Sequence, residues 1–368
     1  MTGLQDRLTP HQVEEFGREL DALRQRIVDD LGQEDVDYIH DIIKKQRGLE
    51  VAGRALLFAG FFPPAWLAGV GALSLAKILD NMEIGHNVMH GQYDWTRDPA
   101  LSSQRFEWDT VAPAENWRHS HNYIHHTYTN IVDKDRDVGY GILRMDTAQK
   151  WHPYYLGNPV YATLLAIFFQ WGVMLHDLEI ENVVKGERSW ADNVPVLRRI
   201  LGKASRQVGK DYVLFPLLTG PLAPLTFLGN ATANLTRNLW AFAIIFCGHF
   251  PADVESFTEE ETSEESRGQW YLRQILGSAN ITGGPLFHVL SGNLSHQIEH
   301  HLFPDIPARR YPQIAGEVRE ICEKYGLPYH TGPLRKQLWS VAKKIVKLAL
   351  PSSPSPTTVE PDRQLRAA

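Results

Sequence analysis

The chain has 368 residues, a formal net charge of −6 and two cysteines. That length carries one large domain or two modest ones. The acidic balance argues against nucleic acid as the main partner. The widely separated Cys247 and Cys322 leave no disulfide framework, no thiolate zinc finger and no iron–sulfur cluster to expect.

The first residues, MTGLQDRLTPHQVEE, lack an apolar core, so no cleavable signal peptide is expected. Residues 1–50 read as N-terminal amphipathic helices, with Val28, Leu31, Val36, Ile39 and Ile42 at helical spacing. His40 reads there as a surface or packing residue. The apolar stretch 51–85 is too long for one span of about 20 residues. Pro63-Pro64 divides it, and a proline pair turns or breaks a helix. A tight membrane hairpin is the expected form, or one kinked span with a re-entrant arm. His86 and His90 follow at its exit.

Residues 91–155 are polar and cannot span a bilayer. They hold His119, His121, His125 and His126, then Thr127, Asn130, Asp135 and Asp137. Carboxylates and amides beside metal histidines usually orient the rings through the second ring nitrogen.

The apolar stretch 156–178 has the length of a span. The segment after it holds Lys185, Arg188, Arg198, Arg199, Lys203, Arg206 and Lys210. Short cytoplasmic loops concentrate such residues, and Lys44, Lys45, Arg47 and Arg54 precede the first hairpin. A true span at 156–178 would put the two basic regions on opposite sides. An interfacial or re-entrant helix is therefore expected, with His176-Asp177 at its end reading as packing.

Residues 212–249 read as a second hairpin with His249 at its exit. Two hairpins return the chain to one face each time, which puts every histidine cluster on one side. The run Glu259–Glu265 reads as a solvated face. Trp270, Tyr271, Arg273, Gln274 and Asn280 serve equally as a channel lining or as packing, and His288 reads as structural. His296, His300 and His301 follow in HQIEHHLFP, with Gln297 and Glu299 between them. Residues 305–349 read as soluble amphipathic helices, and 350–368 as a disordered, proline- and serine-rich tail.

Nine of the 16 histidines fall in three short windows. Spacings of three and four residues place rings on one helical face, where two reach one ion. One ion is saturated by about four to six ligands, so this many imidazoles imply two. Ligand softness alone leaves zinc, copper, nickel and iron open. A dinuclear site without thiolates at a membrane exit suits oxygen activation by iron.

His86-x-x-x-His90, His121-x-x-x-His125-His126 and Gln297-x-x-His300-His301 resemble, in order and spacing, the three histidine boxes of integral-membrane fatty-acid desaturases. HNYIHHTYTN and GNLSHQIEHHLFP look like the branch with bacterial and actinobacterial acyl-CoA desaturases. The resemblance covers roughly residues 40–340. It implies an all-α fold of membrane hairpins, about four spans, capped by a cytosolic domain within 51–349.

It further implies two Fe2+ held by His86, His90, His121, His125, His126, His249, His300 and His301. Gln297 stands where related enzymes carry His, leaving open whether it ligates, holds a water or yields to His296. His119 is a further candidate ligand. Asn130, Asp135, Asp137 and Glu299 are expected to support the ligands.

The implied reaction is O2-dependent insertion of a cis double bond into a saturated acyl chain. The substrate is expected to be acyl-CoA and the position delta-9. With no Gly-rich flavin or nicotinamide fingerprint, electrons are expected from another protein, and the resemblance implies ferredoxin with an NAD(P)H-dependent reductase, or a fused-type oxidoreductase. The implied location is the inner (plasma) membrane, multi-pass, with the site facing the cytoplasm. A histidine-box hydroxylase or monooxygenase is the alternative within this chemistry. A membrane metal-binding or transport protein is the alternative outside it, though transporters place polar ligands near the bilayer midplane.

Overall fold

The computed structural model describes residues 7–176, 178–186 and 188–352. Asp177 and the tail beyond residue 352 lie outside the described residues. Thr9 opens the first helix. Its hydroxyl accepts from the Gln12 amide while the Gln12 side chain reaches back to the Thr9 amide, a reciprocal cap. Helix α1 (Pro10–Asp29) buries Phe16, Leu20, Leu23 and Ile27 along one stripe.

Helix α2 (Gln33–Leu57) runs without a break from the polar N-terminal region into the first apolar stretch. A boundary at residue 50 therefore falls inside a helix. After a turn, α3 (Pro63–Ile78) starts on the proline pair, whose fixed φ and missing N–H suit a first helical turn. The two helices cross closely. A Cβ on Gly53 would stand 3.0 Å from the Gly69 carbonyl oxygen and 2.7 Å from Leu73, so only glycine allows the approach.

Helices α4 (Asn158–Ile167) and α5 (Phe169–His176) follow. Phe168, at φ −108 and ψ 32, separates them. With the short turn before α4 included, the two arms bend by 102°. Helix α6 (Trp190–Val208) precedes the long α7 (Ala223–His249). Helices α8 (Arg267–Leu276), α9 (Gln297–Leu302), α10 (Tyr311–Lys324) and α11 (Leu334–Ala349) follow, with shorter helical turns between the named helices. The fold is thus helical as expected, with one small addition. Strands β1 (Asn280–Thr282) and β2 (Thr331–Pro333) pair in parallel, Ile281 opposite Gly332.

Among the described residues, no single helix is long and apolar enough to cross a membrane. The bent pair Pro153–Ile167 and Phe169–His176 passes by length and composition together. Helix α7 has the length, but it buries Asn230, Asn234, Arg237 and Asn238.

These groups belong to a network between the helices. Asp211 receives Arg54 at 2.7 Å, Lys77 at 2.8 Å and Asn234 at 2.9 Å. Lys77 also reaches Asp109 at 2.8 Å, beside Lys210. Arg237 donates to the Asp109 carbonyl and to Asn234 and Asn238.

Arg54 is therefore not part of an exposed basic flank. The basic segment before α7 is partly engaged within the molecule, where Arg199 donates to Asn116, Lys203 to the Trp108 carbonyl, and Arg188 pairs with Glu179, while Arg198 and Arg206 are exposed.

Candidate metal centre

Two of the three histidine windows are wound more widely than an α-helix. Leu79–His86 and Arg118–His125 are π-helical, a winding that concentrates at functional sites. The first ends on His86, with His90 one turn beyond. The second carries His121 and His125, with His126 next. Helix α7 ends at His249, and α9 carries His300 and His301.

Consecutive residues on a helix diverge by about 100°, so His300 and His301 serve different places. One ring nitrogen each from His86, His90, His121 and His300 lies within 4.8 Å of the others, and so do those of His125, His249 and His301. His86 Nε2 and His300 Nε2 are 3.3 Å apart. Two imidazoles bound tetrahedrally at about 2.0–2.1 Å from one ion hold their nitrogens about 3.4 Å apart. His126 sits between the groups, stacked on His301 at 4.6 Å and edge-on to His90 at 4.7 Å.

Burial gives these nitrogens their meaning. His90 Nε2, His121 Nε2, His125 Nε2, His301 Nε2, His249 Nδ1 and both nitrogens of His126 are buried with no hydrogen-bond partner. Such orphans need an explanation, of which an ion is one. Burial, and then repulsion from neighbouring rings, holds His300 and His301 well below the usual imidazole value. Both are therefore neutral, the form that ligates a metal. His125 moves the other way: burial lowers it, but Asp135 outweighs burial.

The far nitrogens are held. His121 Nδ1 lies 3.1 Å from Asp137, and His125 Nδ1 2.9 Å from Asp135. Asp135 in turn accepts from the Asn130 backbone amide at 2.8 Å, while the Asn130 side chain bonds the Glu255 and Gly277 carbonyls. His301 Nδ1 lies 3.0 Å from Gln274 Oε1 and 3.3 Å from Thr129 Oγ1. Tyr311 stands 3.4 Å from His300 Nδ1.

Of these, Thr129 and Tyr311 carried no sequence signal, and Gln274 was only a channel candidate. Its fellow candidates are also used elsewhere. Tyr271 is buried in the core, Arg273 pairs with Glu265 and bonds the Thr129 carbonyl, and Asn280 bonds the Ile298 amide.

Some expected site residues stand apart. Glu299 is bonded by Asn280 at 2.8 Å and Tyr329 at 2.7 Å. His119 is exposed and stacks on Tyr123. His296 lies against His288 at 4.6 Å, and burial lowers it to about 4. Gln297 does reach the second group, with Nε2 3.1 Å from His249 Nε2. A Cβ on Gly248 would stand 2.8 Å from Gln297 Oε1, so glycine before His249 makes the room for that amide.

A cavity of about 50 Å³ adjoins the first group. Its walls include His86, His121, Trp117, Tyr140, Phe169 and Arg237. Arg237 precedes His249 by twelve residues on α7, roughly 18 Å at 1.5 Å per residue. The cavity therefore leads away from the histidines along the helices.

Residues 64–333 match the family described as fatty acid desaturase. The chain belongs to the fatty acid desaturase family. It is 48% identical over 348 residues to the NADPH-dependent stearoyl-CoA 9-desaturase of Mycobacterium tuberculosis (strain ATCC 25618 / H37Rv), covering 94% of this chain and 82% of that protein. The sn-1 linoleoyl-lipid 6-desaturase of Synechocystis sp. is 28% identical over 290 residues, 76% of this chain and 79% of the relative. Delta(5) fatty acid desaturase A of Dictyostelium discoideum is 29% identical over 294 residues, 74% of this chain and 60% of the relative.

The resemblance carried by the histidine boxes is thus a family membership. This desaturase is an oxygen-dependent oxidoreductase of lipid metabolism, and its reaction implies an electron donor. Its buried histidine cluster suits a metal site.

Proposed function

We propose that the chain is a delta-9 desaturase of saturated acyl-CoA, stearoyl-CoA in the first instance, holding two irons. The carrying observation is the split of buried ring nitrogens, most of them unpartnered, into two groups beside a cavity. The 48% identical stearoyl-CoA 9-desaturase supports the substrate. His86, His90, His121 and His300 would hold one iron, and His125, His249 and His301 the other, with His126 between them.

When bound, such a pair supplies reductive activation of dioxygen, which saturated C–H bonds require. The chain's own residues do the placing. Asp137 and Asp135 fix the tautomers of His121 and His125, so that each Nε2 points inward. Gln274 and Thr129 do the same for His301. Gln297 braces His249 rather than replacing a ligand.

Trp117, Tyr140, Phe169 and Ile245 give the cavity apolar walls. An unactivated methylene offers no polar handle, so position is measured along such walls. They also exclude water from the reacting atoms.

Large apolar side chains are exposed at Val51, Phe58, Phe61, Phe62 and Leu67, and again at Val213, Leu214, Leu217, Leu218, Phe227 and Leu228. Exposed patches of this extent mark a membrane or partner surface. In our reading the hairpins 51–85 and 212–249 enter the inner membrane, with the centre on the cytoplasmic side. NADPH would supply electrons through a reductase, directly or by ferredoxin.

The test is gas chromatography–mass spectrometry of fatty acids from a desaturase-deficient host expressing the chain with an electron donor. The expected product is a cis monounsaturated acid with its double bond at position nine, absent from a His300→Ala/His301→Ala control. A hydroxylated product would move the enzyme to the hydroxylases. A double bond elsewhere would remove the delta-9 assignment.

A further inference from the structure

The break at Phe168 turns α5 along the cavity, and Phe169, Gln170, Val173 and His176 all line it. His176, the last residue of α5, also touches the support of the metal centre. Its Nε2 lies 3.3 Å from Asp137 Oδ1, while Asp137 Oδ2 lies 3.1 Å from His121 Nδ1. The first contact is within ion-pair distance but off the line of a hydrogen bond, so Nε2 has no formal hydrogen-bond partner.

A second tie joins the same segments. Arg136 donates to the His176 carbonyl at 2.7 Å and pairs with Glu179 at 3.2 Å. Two neighbouring residues of the second-box loop thus grip the end of a cavity wall, and one of them also holds a ring of the first group.

The place of α5 along the cavity makes that connection consequential. A chain lying in the cavity would meet α5 through Phe169, Gln170, Val173 and His176. α5 is a short arm attached through a helix break, and its end carries the ring that meets Asp137. Bland packing would explain a buried histidine here, but not one whose ring bridges the cavity and the carboxylate that sets His121.

We propose that His176 is a positioning residue that couples filling of the cavity to the setting of His121 through Asp137. Oxygen chemistry is thereby favoured only when a chain is in place. This inference rests on the acyl desaturase reading.

The test compares purified, metal-loaded wild type with His176→Phe, which keeps the volume and loses the nitrogen, and His176→Gln, which keeps a polar donor. Two quantities are read: product formed per dioxygen consumed with stearoyl-CoA, and the change in the Mössbauer spectrum of the reduced protein when a non-reactive acyl-CoA analogue binds. Metal content and thermal midpoint serve as controls.

Expected for His176→Phe is unchanged metal content, a severalfold fall in product per dioxygen and loss of the analogue-induced spectral change, with partial recovery in His176→Gln. If His176→Phe keeps both the wild-type ratio and the spectral change, the inference is wrong while the desaturase reading stands. If His176→Phe does not fold, His176→Gln decides. An intermediate ratio with a weakened spectral change supports the coupling, and wild-type values for both overturn it. A wild type that forms no product overturns the functional reading and this inference with it.

Discussion

Two regions of this desaturase bury many polar groups, and they differ in what they leave unpaired. In the network around Asp211, Lys77 and Arg54 meet carboxylate oxygens at 2.7–2.8 Å, and asparagines fill the remaining positions. Of its buried atoms only Arg54 Nε lacks a partner. In the histidine cluster the rings bond outward to Asp135, Asp137 and Gln274 and leave their inward nitrogens bare. A completed network explains itself as structure. A cluster that completes only its outer bonds is built around something else.

The largest effect separates the two at once. His300→Ala removes an inward nitrogen that stands 3.3 Å from His86 Nε2. Product formation should fall by about a thousandfold or more, equivalent to about 4 kcal/mol of lost transition-state stabilisation, with metal content reduced and the fold retained. Fatty-acid analysis and metal analysis of the purified variant check this. Near-normal turnover would show that the inward nitrogens of the first group are not ligands.

Asp211→Ala should do the reverse. Removing one member of a buried ion pair strands the others, at a cost of about 3–5 kcal/mol. The thermal midpoint should drop sharply, while the folded fraction keeps its metal-to-protein ratio. A loss of metal without a loss of stability would break the comparison.

Asp135→Asn probes the border between the regions, because Asp135 completes its own bonds in order to aim His125. Loss of such an outer partner typically weakens metal binding by about 10- to 100-fold. Chelator competition should find that range here, with little change in thermal midpoint of the metal-free protein. Wild-type affinity in the variant would mean that His125 is positioned by packing alone.

The contrast also explains what the sequence made legible. The histidine windows are local: His86 and His90, or His121, His125 and His126, announce themselves by spacing. Asp135 and Asp137 lie close behind their rings in the chain. His249 stands at the end of an apolar stretch, and the family resemblance marks it as a ligand.

Gln274, Thr129 and Tyr311 come to the rings from other segments, and no local pattern marks them. Glu299 adjoins His300 in sequence, and its carboxylate is bonded by Asn280 and Tyr329, which no local pattern foretold. The π-winding has no composition signal. The Asp211 network was hidden because Arg54, Lys77 and Arg237 occur singly, where each reads as a flank or an interruption. His176 read as packing because its partner lies 39 positions earlier, at Asp137.

The smallest effect concerns a third buried pair, one that is complete and lies outside both hairpins. Arg310 grips Asp35 through two bonds of 2.7 Å and reaches Asp30 at 2.8 Å, fastening the start of α2 to α10. Burial pushes the Asp35 carboxyl up, but Arg310, the Gly32 amide and Arg309 outweigh it and hold it below its ordinary value of 3.8. A depressed carboxyl binds fewer protons in the folded chain than in the unfolded one. Its contribution is therefore full above that ordinary value and disappears as pH falls through the lower folded value. Asp35→Asn should lower the thermal midpoint near neutrality, and the gap to wild type should close on acidification. A gap that stays constant with pH would assign the clamp to packing of α2 rather than to charge, and the distinction between completed and uncompleted polar clusters would then rest on the Asp211 network alone.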